Sequence, residues 1–151
     1  EGLLLEKLMA HPYLALTGPR STGKEAFNLP WLYDLLSALP DIPPQNVQAT
    51  LAEFTAKTIA DAIVQTHVEV DEIYVCGGGA HNGQLMNCLR AALPGTTVGK
   101  TDELGIDSDW VEAATFAWLA WRTISNLPGN APAVTGANAE RVLGAIYPGN
   151  V

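Results

Sequence analysis

The chain has 151 residues, 48% of them hydrophobic and 16% charged, which is enough for one domain with a core and too apolar for a disordered chain. Its net charge of −8 argues against nucleic acid as a partner, since phosphate backbones are bound by Lys and Arg, and gives no support for an anionic membrane surface. No apolar run approaches the ~20 residues that span a bilayer, and Glu1-Gly2-Leu3 lacks the basic start of a signal peptide.

Leu3-Leu4-Leu5-Glu6-Lys7-Leu8-Met9 reads as a helix already under way with no initiator methionine, which suggests a piece of a longer protein. That helix, over residues 2–10, ends before His11-Pro12, because the residue preceding proline is pushed out of the α region. Tyr13 to Thr17 reads as extended, and Gly18-Pro-Arg-Ser-Thr-Gly-Lys24 as a polar loop. A short helix follows from Leu29 to Leu39, opened near Pro30 and closed at Pro40, with Trp31 as its anchor. Asn46 is placed to cap a long helix running to about Thr66, on which Val47, Leu51, Phe54, Thr58 and Ala62 form one stripe, with Ile59 and Ile63 beside it.

Glu72 to Cys76 reads as a strand, and it runs into Gly77-Gly78-Gly79-Ala80-His81-Asn82 and then a helix carrying Leu85, Met86, Leu89 and Leu93. Strand, tight turn and helix make the place where an α/β protein commonly meets its ligand. Glycines let backbone N–H groups approach closely, and the helix start adds partial positive charge. A second strand is expected near Thr96 to Val98. Asp107 to Leu127 reads as a second long helix, apolar on most sides (Val111, Phe116, Trp118, Leu119, Trp121), hence one buried between layers with Trp118 and Trp121 in the core. Residues 131–139 read as loop and Arg141 to Tyr147 as extended. The two cysteines, Cys76 and Cys88, are expected to be buried free thiols, spaced for neither a disulfide framework nor a metal, in keeping with a reducing cytosol.

Each motif has a competing reading. Gly18 to Lys24 nearly fits a phosphate-binding loop, but Glu25 stands where that loop needs a magnesium-binding hydroxyl, and Pro19 removes a donor. It reads as a surface turn, or as a substrate-side or interlobe loop using Arg20 and Lys24. The triple-glycine stretch does not place three glycines in dinucleotide-binding spacing. It is either a structural bend with Asn82 as helix cap or a nucleotide-contacting turn. His81 reads as a solvent-facing turn residue. Asp109 and Glu112 have capping-box spacing. Otherwise Glu112, alone on an apolar helix, is a carboxylate held to accept hydrogen bonds from a sugar hydroxyl. Asp107 and Asp109 are candidate caps or loop acids and do not form a metal cluster.

Several stretches, in order along the chain, are similar to signatures of the anhydro-N-acetylmuramic acid kinases. They are Arg20-Ser-Thr-Gly-Lys-Glu25 with Phe27-Asn-Leu-Pro-Trp31, Val47-Gln-Ala-Thr-Leu51, Val75-Cys-Gly-Gly-Gly-Ala-His-Asn82, Thr101-Asp-Glu-Leu-Gly-Ile106, Glu112-Ala-Ala-Thr-Phe-Ala-Trp-Leu-Ala120, and Val134-Thr-Gly-Ala137 with Leu143-Gly-Ala-Ile-Tyr-Pro148. The resemblance implies an α/β, actin-like ATPase or sugar-kinase fold in two lobes. Residues 1–151 would form the carboxyl-terminal, nucleotide-side lobe, helix-rich with a small sheet. It implies ATP and Mg2+ used on 1,6-anhydro-N-acetylmuramic acid, with water opening the anhydro ring and O6 phosphorylated. The product, N-acetylmuramic acid 6-phosphate, serves peptidoglycan recycling in the cytoplasm.

By the same resemblance Gly77, Gly78, Gly79 and Asn82 lie on the nucleotide side and Glu112 on the sugar side. The family's amino-terminal Gly-Thr-Ser-x-Asp-Gly loop and its Asp-x-Gly-Pro-Gly-Asn stretch, with the aspartate expected to act as general base, have no counterpart in these residues. No catalytic residue or metal ligand is therefore assigned here, and this polypeptide alone is expected to be inactive. The rivals are another actin-like sugar kinase and a non-catalytic ligand-binding or oligomerisation lobe. The apolar helices also offer a face for a homodimer.

Overall fold

The computed structural model describes residues 1–149. Its helices are α1 (Gly2–Met9), α2 (Leu29–Ser37), α3 (Pro44–Val64), α4 (Gly83–Ala92), α5 (Val111–Ile124) and the four-residue α6 (Pro132–Thr135), and its strands are β1 (Glu72–Val75) and β2 (Thr97–Lys100). The two strands run parallel with Ile73 opposite Val98 and Val75 opposite Lys100, and α4 supplies the crossover that parallel strands need. The result is a helix-rich α/β arrangement around a small sheet, as expected.

The 21-residue α3 organises the packing by burying two faces. One face sets Val47 and Phe54 against Leu4, Leu8 and Leu32, with the rings of Phe27 and Trp31 closing over it. Trp31 is thus the anchor its sequence suggested. The other face sets Ala56 and Ala60 against Met86, Leu89, Leu93 and Val98. Small residues at those two positions let α4 lie close on α3, and α4 in turn covers the sheet. Leu89 is only 1% exposed, so Leu89→Ala is expected to cost about 2–5 kcal/mol in chemical denaturation, through lost burial plus an unfilled cavity.

Local chemistry displaced several predicted boundaries. Pro44 opens α3 at its first position, where proline's fixed φ and missing N–H cost nothing, so Asn46 sits inside the first turn and donates its side chain to Glu1 Oε1 at 2.8 Å instead of capping. Residues expected to be extended after Pro12 form a 3-10 turn, Pro12–Ala15, because His11 Nδ1 accepts the Tyr13 N–H at 3.1 Å. Cys76 is exposed and Cys88 partly so, against the expectation of buried thiols. β1 ends at Val75, which leaves Cys76 at the mouth of the turn. Residues 141–147 form no strand.

The largest departure is α5. It was expected from 107 to 127 and buried; it is shorter, and none of its residues is buried. Phe116 is 64% exposed, Trp118 49% and Trp121 51%, so neither tryptophan is core. The residues after the helix fold back on its last turn. Arg122 Nε donates to the Pro128 carbonyl at 2.6 Å and Gly129 N–H to that of Arg141 at 3.0 Å. The Arg122 guanidinium also lies over the Trp118 ring. Among the described residues α5 makes no extended contact with α1–α4 or with either strand. Likewise, two parallel strands are too few for a finished sheet, which is normally covered on both faces. No described helix is long and apolar enough to cross a membrane.

Candidate functional site

Because β1 and β2 are parallel, their carboxyl ends lie at the same edge of the sheet, and the segments that follow them are brought side by side. This edge is where open α/β sheets bind ligands. After β1 come Cys76 and Gly77; the segment Gly78–His81 then makes a single 3-10 turn, and Asn82 begins α4. After β2, a 3-10 turn over Thr101–Leu104 leads through Gly105 to the loop Asp107-Ser108-Asp109 and the start of α5.

The glycine turn owes its shape to Gly77, whose φ of 74° and ψ of −175° lie in a region essentially closed to residues with a Cβ. The Gly77 carbonyl accepts the Ala80 N–H at 2.9 Å, and the Gly79 carbonyl accepts the Asn82 N–H at 3.1 Å. Asn82 caps α4 as its position suggested, its Oδ1 accepting the Leu85 N–H at 3.1 Å. Ala80 is buried beneath the turn. A Cβ built on Gly77 or Gly78 would meet no atom within 4 Å, so the turn faces open space, as a cradle for a ligand's polar groups would.

Two contacts tie the turn to the loop after β2. Gly77 N–H donates to the Ser108 carbonyl at 2.8 Å, and His81 Nε2 lies 2.8 Å from Asp109 Oδ1. Asp107 steadies the loop by accepting the Asp109 N–H at 2.9 Å. Between turn and loop opens a cavity of about 560 Å³, lined by Gly77, Gly78, Ser108, Asp109, Glu112 and Phe116 among others. Ser108 is buried in its wall. The Ser108 hydroxyl has no hydrogen-bond partner among the described residues. Desolvation pushes the Asp102 carboxyl up, but the nearby polar groups of its own backbone and of Ser108, together with the Lys100 charge, hold it below the ordinary carboxylate value.

The structure removes one of the two readings of Glu112. Asp109 does not cap α5. The N-cap is Trp110, without a side-chain bond, and the Asp109 carboxylate turns to His81 instead. The capping box suggested by the spacing is therefore absent. Glu112 stands exposed on the first turn of α5, lining the same cavity as Gly77 and Gly78, and its carboxylate makes no hydrogen bond among the described residues. The site thus brings together Gly77, Gly78 and Glu112 from the predicted set, with Gly79 and Asn82 shaping the turn behind. It adds His81 and Asp109, which the sequence presented as a turn residue and a cap. The signal that could have found the pair is the parallel pairing of β1 and β2, not any local motif.

Arg20 and Lys24 lie elsewhere. They border a cavity of about 880 Å³ walled by Tyr13, Phe27, Trp31 and Phe54, on the side of α3 turned away from α4. The loop that carries them is irregular and follows no strand, so it is not a phosphate-binding loop. Among the described residues no group of three or more His, Cys, Asp or Glu side chains is placed to hold a metal.

The sequence matches the family model described as anhydro-N-acetylmuramic acid kinase over residues 1–149. Several proteins of that name are similar to nearly all of this chain. That of Photobacterium profundum is 56% identical over 153 residues, covering 97% of this chain and 40% of that protein. That of Nitrosomonas europaea is 52% identical over 145 residues, 96% of this chain and 39% of that protein. That of Pseudomonas syringae pv. tomato is 50% identical over 145 residues, 96% and 40%. The chain therefore spans about 40% of the length of the relatives it matches.

Proposed function

The chain belongs to the anhydro-N-acetylmuramic acid kinase family, and we propose that it forms the nucleotide-side, carboxyl-terminal lobe of a two-lobed, actin-like kinase that uses ATP on 1,6-anhydro-N-acetylmuramic acid. The full protein opens the anhydro ring with water and phosphorylates O6, giving N-acetylmuramic acid 6-phosphate for cell-wall recycling in the cytoplasm. The observation that carries this reading is the cavity itself, lined by both an open glycine turn and the Glu112 carboxylate at the carboxyl edge of a parallel sheet.

In this reading Gly77, Gly78 and Gly79 present backbone to the adenosine and phosphate groups. Asn82 holds the turn to α4, whose amino-terminal dipole favours negative charge. Glu112 accepts hydrogen bonds from a sugar hydroxyl and so orients the acceptor. Positioning of this kind supplies much of the catalysis in phosphoryl transfer, where the protein forms few covalent bonds. Among the described residues no group of three or more potential ligands forms a metal centre. Mg2+ characteristically keeps its waters and binds through substrate phosphates with one or two carboxylates, and no step is assigned to it here. The general base that activates water is likewise assigned to the remaining length of the protein.

Glu112→Gln tests the sugar-side role. In the full-length protein we expect kcat/KM for the anhydrosugar to fall about 10- to 100-fold, as when a charged hydrogen-bonding group is lost from a site, with KM for ATP little changed. An equal rise in both KM values, or none, would show that Glu112 does not contact the sugar.

A further inference from the structure

We propose that His81 and Asp109 form a latch that fixes the distance between the glycine turn and Glu112, which makes His81 a positioning residue for both substrates. The proposal rests on the kinase reading of the cavity and assigns a role to residues that this reading leaves unused.

The geometry supports the latch in three ways. First, the contact joins segments 28 residues apart, and each partner is a neighbour of the site. His81 closes the turn that begins at Gly77, and Asp109 lies three residues before Glu112. Second, α5 has no extended packing against α1–α4 or the sheet among the described residues. Its amino-terminal end is held by the loop 105–110, and that loop is bound to the turn at the Gly77–Ser108 and His81–Asp109 contacts, both 2.8 Å long. The first is backbone to backbone and places the loop. The second fixes the side on which α5 leaves it, and therefore where the Glu112 carboxylate stands. Third, the pair is more than half exposed, 54% for His81 and 59% for Asp109. Ion pairs this exposed add little to stability, so its effect is expected in site geometry and not in folding.

The test is steady-state kinetics of the full-length kinase carrying His81→Ala, Asp109→Ala, both together, and His81→Gln, whose amide nitrogen reaches the position of Nε2. His81→Ala is expected to lower kcat/KM by about 2- to 5-fold for ATP and for the anhydrosugar alike, since an exposed pair can bias the productive arrangement only by its own small interaction energy. The melting temperature should barely move. Asp109→Ala should match it, the double variant should be no worse than either single one, as for two partners in one contact, and His81→Gln should recover most of the loss. Unchanged kinetics in His81→Ala, or losses that multiply in the double variant, would overturn the latch and leave the kinase reading standing. If the unsubstituted protein shows no turnover, the kinase reading fails first and takes the latch with it.

Discussion

Gly77→Ala in the full-length protein is expected to lower kcat/KM for ATP by about 100-fold or more, the largest loss foreseen for a one-carbon change in this chain. The cause is conformational and not steric, since a Cβ at Gly77 would touch nothing within 4 Å. The residue holds φ 74° and ψ −175°, where a side chain adds strain of about 1–3 kcal/mol. The turn can relieve that strain by rotating. Rotation would break the Gly77 bond to the Ser108 carbonyl at 2.8 Å and the Ala80 bond to the Gly77 carbonyl at 2.9 Å. The backbone that faces the cavity would move with it. Gly83→Ala is the control. Gly83 is the first residue of α4, also has free space around it, and does not need a left-handed backbone. It should keep near-normal kinetics. Equal losses in the two variants would show that the turn's conformation is not what matters.

The second large effect depends on context. Ile124→Ala in residues 1–151 alone should change stability by about 0.5 kcal/mol or less, because the side chain is 73% exposed and surface substitutions cost little. In the full-length protein the same substitution should cost about 2–5 kcal/mol, the usual range for a buried isoleucine. The occupant we assign to this face is the further length of the same polypeptide. The relatives are about two and a half times as long as this chain, which covers 40% of them. A helix apolar on most sides, with Trp110, Phe116, Trp121 and Ile124 all exposed, does not stay uncovered in a stable protein. Chemical denaturation of both forms, with and without the substitution, measures the difference. Equal small costs in the two would mean that the face stays open.

These results locate what was readable in the sequence and what was not. The strand, glycine turn and helix from Glu72 to Leu93 were legible because each signal is local: an apolar run, glycines where φ turns positive, an asparagine in cap position, and leucines at helical spacing. The α2 and α3 helices were legible for the same reason, but α3 starts earlier than expected, where the proline pair overrode Asn46, and its buried residues include Ala56 and Ala60 while the expected Ile59 and Ala62 are exposed. The environment of α5 was not legible, because periodicity reports that a helix needs cover but not whether the covering residues are in hand. His81, Asp109 and the exposure of Cys76 were hidden for a different reason. Their surroundings follow from the parallel pairing that sets Val75 opposite Lys100, and no local pattern encodes that. Once the pairing is known, the capping box at Asp109 gives way to a contact with His81, and Glu112 is left lining the cavity.

The most direct test of the proposed role is a phosphorylation assay with ATP, Mg2+ and 1,6-anhydro-N-acetylmuramic acid, run on the full-length protein and on residues 1–151 alone. N-acetylmuramic acid 6-phosphate should form with the full-length protein and not with the isolated chain, in which Gly77, Gly78 and Glu112 line the cavity but the family's general-base stretch has no counterpart. Clear turnover by residues 1–151, or none by the full-length protein, would contradict it.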